Sequence, residues 1–364
     1  MSERLVLIMA GGTGGHIFPA LAVATALRDL GQRVLWLGSP LGMEAKIVAK
    51  AGIDMEWLPV KGLRRKGIVA WLLAPIRLAR SIFLAVRILR RANPAVVLGM
   101  GGYVAGPGGI GAWLLRKPLL IHEQNAVAGL TNRILSRFAR QIFEAFPGSF
   151  GERSRAETIG NPVRHDIIKL EDPSKRFATR TGSPRLLILG GSQGALVLNQ
   201  VVPLAIGALP SSIRPEIWHQ TGEATLETAI SQYQSVGIKA KVDAFLDDMS
   251  EAYAWADLVI CRAGALTIAE LTAVGLGAIL VPYPSAVDDH QTKNALFMVN
   301  AGAGILIQQD EFEANRVAQE LEPLFRDRQP MQQMATAARS VGVNNASLVL
   351  AQACLDYLPA ESTS

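Results

Sequence analysis

The chain has 364 residues, 49% of them hydrophobic and 18% charged, too long for one ordinary core and suited to two α/β domains. Two cysteines, Cys261 and Cys354, exclude a disulfide framework and point to a reducing, cytosolic setting, and the Met-Ser-Glu-Arg start lacks the tripartite layout of a secretory signal. The net charge of +5 is uneven: residues 1–160 carry 21 Lys+Arg against 9 Asp+Glu, and residues 161–364 carry 15 against 22, so the first half either meets an anionic partner (nucleic acid, phospholipid surface or phosphorylated substrate) or is a solvated basic face.

Arg4-Leu5-Val6-Leu7-Ile8-Met9 reads as a buried strand, followed by Gly11-Gly12-Thr13-Gly14-Gly15 and a helical pattern. The glycines suit close approach of the backbone to a ligand. Their spacing is not G-x-G-x-x-G, and Gln32 and Arg33 follow the helix where a ribose-binding acid would stand, so the run gives little support to a dinucleotide cofactor. Pro19 suits the first turn of the helix. His16 then sits near a helix N-terminus, either as a proton acceptor or as a residue that hydrogen-bonds the loop.

Arg33–Leu37 reads as the next strand. No acidic residue occurs between Glu56 and Glu123, whereas Lys61, Arg64, Arg65, Lys66, Arg77, Arg80, Arg87, Arg90, Arg91, Arg116 and Lys117 all fall in that gap. Within it, Ile68–Leu89 is strongly apolar, but Pro75 breaks it and its uncharged core spans only Gly67–Ile76, too short to cross a bilayer. At about 100° per residue, Arg77, Arg80, Arg87 and Arg91 share one quadrant of a helix. The segment predicts either a helix lying in a membrane interface or one packed on a sheet with its arginines in solvent.

Ala95–Gly99, Pro118–His122 and Gln141–Ala145 are further strands, and Gly160-Asn161-Pro162 is a turn and a candidate hinge. The pattern then restarts with Arg185–Leu189, Gly190-Gly191-Ser192-Gln193-Gly194 and a helix. Glu216–Gln220, Leu258–Cys261 and Gly277–Pro282 continue it. Strands alternating with helices predict parallel sheets, and two strand–glycine turn–helix starts predict two Rossmann-like domains, 1–160 and 161–345. The last helical stretch, Ala346–Tyr357, could return to the first domain.

In the second half, strand Leu258–Cys261 runs into Arg262-Ala263-Gly264-Ala265-Leu266-Thr267-Ile268-Ala269-Glu270, a helix start whose N–H groups can hold a diphosphate. Thr267-x-x-Glu270 also fits a capping box, which explains both residues without a ligand. Asp288-Asp289-His290-Gln291 follows a strand ending at Pro282-Tyr283-Pro284 and is a ligand loop, a polar turn or a metal site. The chain has no Asp-x-Asp pair, which weakens a metal–diphosphate mechanism.

Six runs in order resemble the MurG family of bacterial UDP-N-acetylglucosamine transferases of peptidoglycan synthesis: Gly11–His16, Gly99–Tyr103, His122-Glu123-Gln124-Asn125, Gly160-Asn161-Pro162-Val163-Arg164, Gly190–Gly194 and Gly264–Thr267. The resemblance covers nearly the whole chain and implies a GT-B type enzyme, two Rossmann-like lobes facing a cleft. It implies UDP-N-acetylglucosamine as donor, bound mainly by the second lobe, and undecaprenyl-diphosphate-linked muramyl pentapeptide as acceptor. It implies inversion to a β-1,4 link with no cofactor, no obligatory metal and no nucleic acid. The setting is the cytoplasmic face of the bacterial inner membrane, held peripherally on its anionic surface.

Carried over onto these positions, the donor contacts are Thr13, Gly14, Gly15, Asn125, Arg164, Ser192, Leu246, Ala265, Leu266, Thr267, Ile268, Ala269, Glu270 and either His290 or Gln291. Glu270 would hold the ribose hydroxyls and Leu246 would lie by the uracil. His16 is the implied base, with Glu123 as its rival. Ala263 stands where many family members have Ser. Two alternatives remain: a UDP-N-acetylglucosamine 2-epimerase of the same fold, and a non-catalytic nucleotide-sugar binder at a membrane surface. The basic, apolar Lys61–Arg91 stretch speaks against the epimerase, and the paired glycine turns with His16 speak against the binder.

Overall fold

The computed structural model describes residues 4–60, 74–191 and 194–359. The basic run Lys61–Lys66, the apolar run through Trp71, and Ser192 lie outside the described residues.

The first sheet holds β1 (Leu5–Met9), β2 (Arg33–Gly38), β3 (Asp54–Trp57), β4 (Val96–Gly99), β5 (Leu119–Glu123), β6 (Gln141–Glu144) and β7 (Glu157–Thr158). Their order is β3-β2-β1-β4-β5-β6-β7. The second holds β8 (Arg185–Leu189), β9 (Glu216–Gln220), β10 (Lys241–Asp243), β11 (Leu258–Cys261), β12 (Gly277–Leu280) and β13 (Gly304–Leu306), in the order β10-β9-β8-β11-β12-β13. All these pairings are parallel. Parallel strands need helical crossovers, which cover both sheet faces and leave the central strands no solvent side. Val6, Leu7, Ile8 and Met9 of β1 and Leu258, Val259 and Ile260 of β11 are accordingly all fully buried.

The chain divides into two compact units, one of Met1–Arg164 with Asn344–Ser364 and one of His165–Val343. In the first, the helices Gly14–Asp29 and Ala346–Leu355 pack together on one sheet face, where Ile17, Val23, Leu27, Leu350 and Cys354 meet Val6, Ile8 and Leu98. On the other face, helices Ala74–Ala92 and Ala105–Leu114 bring Ala85, Leu89 and Ala112 onto Leu7, Met9 and Val97. Gly111 lets these two helices approach: a Cβ there would lie 3.1 Å from Leu89 Cδ1. The second unit closes a core of Leu186, Ile188, Val202, Ile206, Ile260, Ile279 and Leu321 around its own sheet.

Two local expectations are corrected. Pro19 lies inside helix Gly14–Asp29 rather than in its first turn, because the helix already starts within the glycine run. Four strands carried no signal in the sequence: β3, β7, β10 and β13, the edge strands of the two sheets. They are 4, 2, 3 and 3 residues long and none is fully buried, so none contains the apolar run that marks a central strand.

Candidate functional sites at the two sheet switch points

In a parallel sheet whose strand order reverses, the crossovers on either side leave on opposite faces and open a crevice at the carboxyl ends of the strands. Here the reversals lie between β1 and β4 and between β8 and β11. Both glycine turns and the Gly264–Thr267 helix start stand at these points.

At the first, β1 runs through Gly11–Thr13 into helix Gly14–Asp29. Its cap Thr13 is extended and makes no side-chain capping bond. The positive end of the helix dipole stands at this crevice, where it favours an anion. The loop after β4 closes on this turn. Gly102, at φ +83°, presses against the backbone of Gly11 so closely that any Cβ would overlap it. Glu44, buried, holds the turn from the other side: its carboxylate accepts from Gly12 N–H at 3.1 Å and Ser39 N–H at 2.9 Å.

His16 is half-buried in the first helical turn. Its Nδ1 lies 2.9 Å from Gln124 Oε1. Gln124 Nε2 lies 3.0 Å from His122 Nδ1, and His122 Nε2 lies 2.9 Å from the Gly160 carbonyl oxygen. Burial pushes the pKa of His122 down to about 4, against the opposing pull of the Gly160 carbonyl and the Glu123 carboxylate, so this ring is neutral near pH 7.

Glu123 has a different environment. It is buried, and its Oε1 accepts from the Asn125 backbone N–H at 3.0 Å and from Asn125 Nδ2 at 3.2 Å. Its Oε2 accepts from Gly129 N–H at 3.0 Å and Asn132 Nδ2 at 2.9 Å. Four donors fill the four lone-pair sites of a carboxylate. This geometry suits a group that folds the loop after β5 and leaves none of its sites open to a substrate hydroxyl. Asn125 is engaged in the same network, while Arg164 is half-buried at the end of this stretch of the unit.

In the second unit, the turn after β8 is clamped by the buried Gln220, which accepts from Gly191 N–H at 2.9 Å and donates to Gly191 O at 3.1 Å and Ala244 O at 3.0 Å. Beyond β11, helix Ala265–Val274 is capped by Gly264, again without a side-chain bond. This corrects the capping-box expectation. Thr267 is the third helical residue, not the cap, because the helix begins three residues before the start a Thr267 cap would require. Glu270 is therefore in the second turn, buried, with Oε2 accepting from Tyr253 Oη–H at 2.8 Å. Ala265, Leu266, Thr267, Ile268 and Ala269 form the intervening turns of this helix.

Arg262 ties three strand ends together, donating to Val281 O at 3.2 Å, Pro282 O at 3.1 Å and Gln309 Oε1 at 2.6 Å. Asp288 and Asp289 both sit in the left-handed region, φ 52° and 49°, and turn the chain into helix His290–Asn300. Gln291 Oε1 accepts from Tyr283 N–H at 2.9 Å, and Asn294 Nδ2 donates to Ala263 O at 3.1 Å, which docks this helix beside the Gly264 start. Leu246 is buried in the loop after β10.

Each unit thus gathers its own share of the sequence-selected residues at strand carboxyl ends. Thr13–His16, Glu123 and Asn125 come together in the first. Leu246, Ala265–Glu270, His290 and Gln291 line strand ends in the second, and Ser192 lies outside the described residues. Sequence reasoning gave no role to Glu44, His122, Gln124 or Tyr253. His122 and Gln124 stood within a motif run, whereas nothing local marks Glu44 or Tyr253, whose partners are distant in sequence.

Residues 6–144 match the Glycosyltransferase family 28 N-terminal domain and residues 185–350 the Glycosyltransferase family 28 C-terminal domain. Two proteins named UDP-N-acetylglucosamine–N-acetylmuramyl-(pentapeptide) pyrophosphoryl-undecaprenol N-acetylglucosamine transferase are similar over nearly the full length. That of Nitrosococcus oceani is 53% identical and that of Alkalilimnicola ehrlichii 54%, each over 351 residues, 96% of this chain and 98% of the relative. The crystal structure of Acinetobacter baumannii MurG superposes with a TM-score of 0.83 at 37% identity, covering 97% of this chain and 99% of that one.

Proposed function

The chain belongs to glycosyltransferase family 28, and we propose that it moves N-acetylglucosamine from UDP-N-acetylglucosamine to the 4-hydroxyl of undecaprenyl-diphosphate-linked N-acetylmuramyl pentapeptide. The observation that carries this is the near full-length identity, above half, to transferases named for that reaction. The same names disfavour an epimerase.

The site residues take their proposed roles from the family resemblance, with the local geometry in support. His16 accepts the hydroxyl proton as the acceptor oxygen attacks the anomeric carbon opposite the departing UDP, which inverts the configuration. Glu123 organises the loop that carries Asn125. In the second unit, the Gly264-capped helix start holds the diphosphate through backbone N–H groups and its dipole. Glu270 holds the ribose hydroxyls, and Leu246, with Gln291 or His290, flanks the uracil and sugar.

Glu270→Gln tests the donor assignment. The amide still accepts from Tyr253 but lacks the charge that strengthens bonds to ribose hydroxyls, a difference of about 1.5 kcal/mol or more. The expected result, read by calorimetry, is UDP affinity lowered about ten-fold with little change in the unfolding midpoint. Unchanged UDP affinity in folded Glu270→Gln contradicts the role.

Membrane attachment is the other part of the proposal. On helix Ala74–Ala92, Ile76 and Phe83 are 68% and 61% exposed and share the outer face with the exposed Arg80, Arg87 and Arg90. Among the described residues, no helix is long and apolar enough to cross a membrane. Apolar side chains amid basic ones suit an anionic interface, each charge near the surface adding about 1 kcal/mol. Sedimentation with vesicles containing anionic lipid should fall with rising salt, and fall further in Arg80→Glu/Arg87→Glu. Equal binding of variant and parent at low salt would make this face merely solvated.

A further inference from the structure

A neutral imidazole carries one proton, and the partners of its two nitrogens decide which one holds it. In the first unit the decision is forced outward from the backbone. The Gly160 carbonyl oxygen can only accept, so His122 Nε2, 2.9 Å away, carries a proton. The ring is fully buried and neutral, with its pKa pushed down to about 4, so His122 Nδ1 is an acceptor. Gln124 Nε2 lies 3.0 Å from that nitrogen and 3.3 Å from the His122 carbonyl oxygen. Two acceptors demand the NH2 end of the amide, and a flipped amide would set its oxygen against both. The Asn161 amide fixes the backbone here by donating to Gln124 O at 3.0 Å. Gln124 Oε1 therefore faces His16, and His16 Nδ1, 2.9 Å away, must be the donor. The same nitrogen is covered from another side, since a Cβ on Gly101 would stand 2.6 Å from it.

We infer that His122 and Gln124 are positioning residues that fix His16 as its Nδ1–H tautomer, leaving Nε2 as the atom that takes the acceptor hydroxyl's proton. The inference rests on His16 being the base. A free neutral imidazole favours the opposite tautomer, which would point its lone pair at Gln124, where no substrate oxygen fits. During transfer the new bond forms between the acceptor oxygen and the anomeric carbon, and the bond from that carbon to the UDP oxygen breaks. The hydroxyl proton moves to His16 Nε2. The imidazolium keeps its Nδ1–H on Gln124 Oε1, neither Gln124 nor His122 changes protonation, and the proton leaves to water after product departure.

The tautomer is read directly from long-range proton–nitrogen correlation spectra of 15N-histidine-labelled protein at about pH 8.5, above the ordinary histidine range. The His16 signals are those missing in His16→Ala. The expected spectrum shows Nδ1 protonated and Nε2 bare. Gln124→Leu should revert to Nε2–H and lower kcat on the order of 10²-fold, with the KM for UDP-N-acetylglucosamine within about two-fold. Gln124→Glu keeps an acceptor for Nδ1–H and should keep that spectrum, while its second oxygen, set against His122 Nδ1 and the His122 carbonyl oxygen, lowers stability. An Nε2–H signal in the parent protein overturns the inference. So does a folded Gln124→Leu that keeps its kcat while His16→Ala loses it. If His16→Ala itself keeps kcat while the parent shows Nδ1–H, the base assignment beneath the inference fails and the tautomer stands.

Discussion

His16→Ala should lower kcat on the order of 10²–10⁴-fold, the contribution typical of a general base, while UDP affinity stays within about three-fold. The split follows from where the side chain sits. His16 lies in the first unit, and its ring bonds Gln124 of the same unit. The nucleotide is proposed to bind the second unit, at the Gly264 helix start and Glu270, so removing the imidazole should take away a proton acceptor without removing a donor contact. Alanine is a sound replacement in a helix and opens no large cavity, because the ring is half-buried. Loss of Nδ1–H leaves Gln124 Oε1 short of one donor, at a cost of about 1 kcal/mol in stability. Steady-state kinetics with both substrates varied, beside calorimetry with UDP, checks the prediction. A variant within a few-fold of the parent in kcat removes His16 from the chemistry. The saturated carboxylate of Glu123 makes it a poor substitute, so that result would point to no single base.

Acid should weaken the fold well before most carboxylates titrate. His122 in the first unit and His219 in the second are buried, and burial lowers their pKa values from 6.5 to about 4 and about 3. His219 is held neutral between Tyr233 Oη and Asn199 Oδ1, each at 3.0 Å. Because both folded-state values are lowered, the unfolded chain takes up each proton first. The stabilisation is complete above about pH 6.5 and drains as pH falls towards the folded values. Each histidine contributes a slope of about 1.4 kcal/mol per pH unit in that window, reaching about 3 kcal/mol for His122 by pH 4. Urea unfolding at a series of pH values between about 7 and 4 measures it. Stability that stays flat across that range contradicts the burial of both rings.

The parts of the molecule that the sequence made legible are those whose cause is local. Central strands such as β1 and β11 are buried on both faces, and their unbroken apolar runs announce it. The edge strands β3, β7, β10 and β13 exist because a neighbour offers them hydrogen bonds, and Asp54-Met55-Glu56-Trp57 carries no trace of that neighbour. The same division runs through the sites. Glycine turns and helix starts are contiguous, so Gly11–Gly15 and Gly264–Thr267 could be picked out. The capping-box reading of Thr267 and Glu270 failed because i, i+3 spacing does not say which residue starts the helix, and Gly264 with extended φ and ψ starts it instead. Glu44 holds Gly12 from 32 residues away and Tyr253 reaches Glu270 from 17 away. Tertiary packing alone creates those pairs. Glu123, the rival base from its motif, is set apart by its four donors.

The central claim is tested most directly by incubating the purified chain with UDP-N-acetylglucosamine labelled in the sugar and a lipid-linked N-acetylmuramyl-pentapeptide diphosphate. The account predicts UDP release only when the acceptor is present. Label should pass to the lipid fraction as a β-1,4-linked disaccharide, and no epimerised nucleotide sugar should form. UDP-N-acetylglucosamine consumed or epimerised without acceptor, or UDP bound with no transfer to the lipid, would contradict it.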